Sequence, residues 1–90
     1  MDRQGRRTDK YGFAKVREYT GSLRNGNYYY IKYDSKNPNI TYWVIKKLDG
    51  KYEASSCLNY DENASTIYGK FKSTDEAKRY VVEHIEKLEV

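Results

Sequence analysis

The side chains able to carry covalent or metal chemistry are few and isolated. His84 is the single histidine and Cys57 the single cysteine, so an internal disulfide and a multi-thiolate metal site are both excluded. Neither residue stands at a sequence spacing that pairs it with a base or a nucleophile. No His-x-x-x-His, Cys-x-x-Cys or Asp-x-Asp-x-Asp pattern occurs. The glycines at 5, 12, 21, 26, 50 and 69 are scattered, not gathered into a phosphate-cradling loop. His84 reads as a packing or surface residue and Cys57 as a space-filling strand residue. The expectation is a protein that binds without catalysing, and that needs no metal or cofactor.

Cations and aromatic rings are the residues left to hold a ligand. The net charge is +4 and tyrosine alone numbers 11. The charge is graded: residues 1–24 carry +4, residues 25–72 carry +2 and residues 73–90 carry −2. Arg3, Arg6, Arg7 and Lys10 form a basic leader over residues 1–10, expected to be flexible. Such an arm neutralises phosphates, and it serves equally as a solvated leader that keeps a tyrosine-rich chain dispersed. Lys46, Lys47, Lys51, Lys70 and Lys72 recur at strand ends, with Trp43 between them able to stack on a base.

These residues need a scaffold. Ninety residues make one domain, here residues 11–90 behind the leader. Leu, Ile, Val and Phe together number only 16, so tyrosine must supply apolar area in place of leucine. Residues 13–20 and 28–33 read as two strands around the turn residues Gly21–Asn27, giving a hairpin over about 12–33. Residues 40–48 and 51–58 pair around a two-residue Asp49-Gly50 turn. A polar loop from Asn59 to Ala64 leads to a short strand over 65–72. Ser73-Thr74-Asp75-Glu76 then has capping-box spacing. It opens a helix to about Leu88 whose stripe is Ala77, Tyr80, Val81, His84 or Ile85, and Leu88. Internal repeats are not apparent. The fold class is α+β, an antiparallel meander of about five strands against one C-terminal helix. One helix covers three or four strands, leaving the far face and an edge free.

Within residues 40–88, Lys46-Lys47-Leu48-Asp49-Gly50-Lys51-Tyr52-Glu53-Ala54 is followed by Ile67-Tyr68-Gly69-Lys70-Phe71 and Ser73-Thr74-Asp75-Glu76-Ala77. This stretch resembles the APETALA-type (ethylene-response-factor) DNA-binding domain and the arm-site-binding domains of phage-type integrases. The resemblance implies three antiparallel strands backed by a helix, with the free sheet face entering the major groove of DNA. At the positions where that family places basic contacts on its first two strands, only Lys47 is basic. Ile45, Ser55 and Cys57 are not, and arginine is absent between residues 25 and 78. With Trp43 and Ile67, these residues also describe a face that something covers, either the N-terminal hairpin folding over it or another protein.

Two functions are therefore expected. The first is a small nucleic-acid-binding protein, with DNA ahead of RNA, using the leader and the free sheet face. The second is a protein-binding inhibitor or adaptor of a phage or other mobile element, acting through an aromatic sheet face or an edge strand. Pairing of two copies through the uncovered face is open in either case. No stretch approaches the ~18 apolar residues of a membrane span. The first residues lack the apolar core of a secretory signal, so a cytoplasmic location is expected.

Overall fold

The alternation over residues 40–46 puts Tyr42 and Val44 on one side of the pleat and Thr41, Trp43 and Ile45 on the other. A computed structural model, which describes residues 1–17 and 28–88, places this strand at the centre of a five-stranded antiparallel sheet. The strands are β1 (Ala14–Arg17), β2 (Tyr28–Tyr33), β3 (Ile40–Lys46), β4 (Tyr52–Leu58) and β5 (Asp61–Phe71), adjacent in chain order. The expected hairpin over 12–33 is present as the β1–β2 pair, with Ala14 opposite Ile31 and Arg17 opposite Tyr28. Its turn, expected at Gly21–Asn27, lies outside the described residues.

Helix α1 (Thr74–Tyr80) packs on β3, β4 and β5 and continues as a π-helical stretch, Val81–Ile85. Ser73 is its N-cap: the extended backbone (φ −140, ψ 160) lets the hydroxyl accept the Glu76 amide hydrogen at 3.2 Å. The π stretch widens the last turns, with the Glu86 amide donating to the Val81 carbonyl at 2.8 Å. Lys87 in the left-handed region (φ 63) ends the helix. The expected apolar stripe holds at Ala77, Val81, Ile85 and Leu88, all in or against the core, with Val82 added to it. His84 is exposed, and helix stops at Ile85, short of Leu88.

Between helix and sheet lie Tyr42, Val44, Ala54, Ala77, Val81 and Val82, with Tyr52 and Phe71 packed against them. Val44 and Val81 have no exposed surface, and each buried valine contributes ~1.5–3 kcal/mol. The helix alone does not close this layer. Tyr11 and Phe13 complete it in front of β1 and β2, Phe13 at 1% exposure. The Tyr11 hydroxyl donates to Asp75 at 2.9 Å, and the Lys78 ammonium meets Asp9 at 2.6 Å and lies 3.8 Å over the Tyr30 ring.

Residues 1–13, whose first ten were expected as a flexible leader, contain a repeat. Asp2-Arg3-Gln4-Gly5-Arg6 and Asp9-Lys10-Tyr11-Gly12-Phe13 form the same loop. In each, the aspartate side chain accepts the amides two and four residues on, at 2.9 to 3.0 Å. In each, the glycine amide donates back to the aspartate carbonyl at 3.0 Å from a positive φ, 79 for Gly5 and 90 for Gly12.

Two connections differ from expectation. Asn59 and Tyr60 both have positive φ (55 and 59), making a two-residue turn in place of a polar loop, so β5 begins at Asp61 and spans 11 residues. The β3–β4 connection is a three-residue loop, Leu48-Asp49-Gly50, closed by the Lys47 amide donating to the Lys51 carbonyl.

Candidate nucleic-acid interface

The face of the sheet turned from the helix carries Tyr29, Ile31 and Tyr33 from β2, Thr41, Trp43 and Ile45 from β3, and Glu53, Ser55 and Cys57 from β4. On β5, Ile67 pairs with Ser55 and Lys70 with Glu53. A three-residue step from 67 to 70 would put these side chains on opposite faces of a regular strand. The β-bulge at Tyr68-Gly69 absorbs the odd residue. Gly69 sits at φ 153, a conformation side-chain-bearing residues avoid. Tyr68 and Phe71 consequently both turn to the helix side, Tyr68 through a 2.8 Å hydrogen bond with Ser56 and Phe71 against the Tyr80 ring.

Trp43 is half-buried, its ring 5.1 Å from that of Tyr29 at 30°. Its buried indole nitrogen finds no acceptor among the described residues. Beyond this stack the surface opens: Ile67 is 63% exposed, and Leu48 at the hairpin tip 98%. Lys47, Lys51, Lys70 and Lys72 gather at this end, since Tyr52 pairs with both Lys46 and Phe71. Asp49 and Glu53 lie among them. Asp49 accepts the Lys51 amide at 2.9 Å and the Lys70 ammonium at 2.9 Å, which hold its carboxyl below the usual range and raise Lys70. Lys47 is 3.8 Å from Glu53. The Lys70–Asp49 pair is solvent-screened and open to exchange with a competing anion, whereas the Glu53 side chain is largely buried.

The ten residues singled out in the sequence are not all brought together. Lys47, Lys51, Lys70 and Lys72 share one end of the sheet, and Trp43 stands at the middle of β3, opposite Ile31 and Ser55. Lys46 is at that end but shares its face with Val44 and Tyr52, on the helix side. The leader lies at the opposite end, separated by the seven residues of β3, about 20 Å at 3.3 Å per residue. There Arg3 lies 3.9 Å over the Tyr33 ring and donates to the Pro38 carbonyl at 2.7 Å. Arg6 donates to Asp2 at 2.8 Å. Lys10 is 5.0 Å over the Tyr11 ring, and exposed Arg7 borders a cleft with Phe13 and Tyr30. Tyr60 donates to the Tyr33 hydroxyl at 2.8 Å. Burial opposes ionisation of Tyr33, but hydrogen bonds with Tyr60 and Gln4 and the Arg6 charge bring its phenol below the ordinary value. Thr41 beneath this end has no exposed surface.

Leu48 was missed in the sequence. Its signal was available: a leucine between Lys47 and Asp49-Gly50 at a turn has no core to enter. Among the described residues, no group of three or more His, Cys, Asp or Glu is placed to hold a metal. His84 packs 5.0 Å from the Tyr80 ring, and the Cys57 thiol lies 3.4 Å from the Asp61 carbonyl. No described helix is long and apolar enough to cross a membrane.

No family model, curated protein or solved structure matches the chain. The likeness of residues 40–88 to the APETALA-type domain thus rests on its motif residues alone.

Proposed function

We propose that this is a small non-enzymatic nucleic-acid-binding protein, with DNA as its ligand, acting through the sheet face turned from the helix. The observation that carries this reading is the bulge at Tyr68-Gly69, which sets Lys70 on the face of Trp43 and Ile67, at the sheet end shared with Lys47, Lys51 and Lys72. Lysines track phosphates while rings and aliphatic ends meet bases. The leader lies at the other end of the sheet, where Arg3 and Arg6 are engaged within the protein and Arg7 and Lys10 are exposed.

The test is titration of labelled oligonucleotide at several salt concentrations. Four or five phosphate contacts give a slope of log affinity on log salt of about −3 to −4.5. An isotherm that does not move with salt refutes the reading. A second reading is favoured by the exposure of Leu48 and Ile67: a protein-binding inhibitor or adaptor of a mobile element. It calls for salt-resistant association that Trp43→Ala weakens by ~2 kcal/mol or more.

A further inference from the structure

The chemistry of the open half-face narrows the ligand further, on the assumption that nucleic acid is what the protein binds. Reading a duplex through its grooves takes side chains that hydrogen-bond base edges, chiefly Arg or Lys on guanine and Asn or Gln on adenine. The chain from Thr41 to Leu58, which builds β3 and β4, contains no Arg, Asn or Gln. Lysine is the one member of that set it holds, a flexible point charge that lacks the planar fork of arginine.

Apolar groups are what that end offers. Ile67 and Leu48 present aliphatic ends beside the half-buried Tyr29–Trp43 stack. Such groups match the flat faces of bases, which a duplex keeps inside its own stack and a single strand exposes. Access points the same way. Arg3 over Tyr33 and the complete burial of Thr41 cover β2 and β3 at the other end of the face. On these two strands the open part runs from Trp43 to the hairpin tip, with Lys47 and Lys70 beside it.

We infer that the ligand is single-stranded nucleic acid, bound with little sequence preference, with bases resting on Trp43, Ile67 and Leu48 and phosphates held by Lys47, Lys51, Lys70 and Lys72.

The experiment compares a labelled fifteen-nucleotide oligo-dT with a fifteen-base-pair duplex at one salt concentration, following both anisotropy and the emission of Trp43, the single tryptophan. The single strand binds at least tenfold tighter and quenches Trp43. Leu48→Ser and Ile67→Ser, both at exposed positions, each weaken single-strand binding at least threefold while leaving the salt slope unchanged. Lys72→Gln lowers the slope by about 0.7. Duplex binding as tight as or tighter than oligo-dT, or unchanged affinity in both serine variants, overturns the inference and leaves the broader proposal standing. Absence of salt-dependent binding to either probe overturns both.

Discussion

Replacing Lys32 by methionine tests whether one buried ion pair ties the end of the helix to the sheet. Lys32 on β2 is 7% exposed and Glu86 8%. The ammonium lies 2.7 Å from Glu86 Oε1 as an ion-pair contact and donates to Oε2 at 2.9 Å and to the Tyr33 carbonyl at 3.1 Å. The Ser35 amide donates to Oε2 at 2.7 Å. Lys32→Met keeps most of the stem that runs beneath Gly12, where an added Cβ would come within 2.9 Å of Cε, and removes only the charge. The Glu86 carboxylate is then left in a site nearly closed to water, with the Ser35 amide as its remaining donor. Breaking a buried pair from one side costs about 3–5 kcal/mol, a large part of the ~5–15 kcal/mol that holds a small domain folded. With a urea slope of ~1 kcal/mol per molar, the unfolding midpoint read from Trp43 fluorescence falls by about 3 M or more. Lys32→Met combined with Glu86→Leu removes both charges and returns the midpoint to within about 1 M of the parent. A single-variant shift under ~0.5 M, or a double variant as unstable as the single, refutes the reasoning.

Three further outcomes are expected. Gly69→Ala meets only the Phe71 ring at 3.9 Å, so its cost is backbone strain at φ 153; about 1–3 kcal/mol is lost in urea unfolding, and oligonucleotide affinity falls with the Lys70 alignment. Ser73→Ala removes the N-cap and costs ~1 kcal/mol, read by the same unfolding curve, with faster amide exchange at Glu76. Asp34 is the third. Its burial would raise its pKa, but hydrogen bonds from the Tyr42 hydroxyl and the Asn37 and Lys36 amides outweigh that and hold it below 3.8. A lowered folded value means stability present above pH ~3.8 and lost as pH falls through the folded value. Asp34→Asn flattens that acid limb, and an unchanged slope of stability below pH 4 speaks against it. Its partner Tyr42 moves the other way, raised by burial and by Asp34, so stability also declines as pH climbs above 10.

The parts of the fold that depend on neighbours in sequence were legible. Alternation over 40–46 separates Tyr42 and Val44 from Trp43 and Ile45, and Ser73 with Glu76 marks the helix start; both depend on spacing alone. The Asn59-Tyr60 turn was not legible, because tyrosine is a poor candidate for positive φ. It is held there from 27 residues away by the Tyr60–Tyr33 hydroxyl contact. Buried Lys78 and Glu86 were hidden for a similar reason: their partners Asp9 and Lys32 are 69 and 54 residues distant. Asp2 and Asp9 lie within the stretch read as a basic leader. Their actual work is geometric, each folding a loop onto its own carboxylate. Of the candidate site, residue types were readable, but its division between two sheet ends depends on where the leader docks.

The kink at Tyr68-Gly69 has a consequence for how copies of this molecule meet. β5 borders the sheet, and an unbroken outer strand of 11 residues would offer a long row of amide and carbonyl groups for a neighbouring molecule to zip against. The kink divides that row and changes its phase, so an incoming straight strand can match one part or the other but not both. Along this border, a straight strand docking on β5 therefore finds only a short matching row on either side of Tyr68-Gly69.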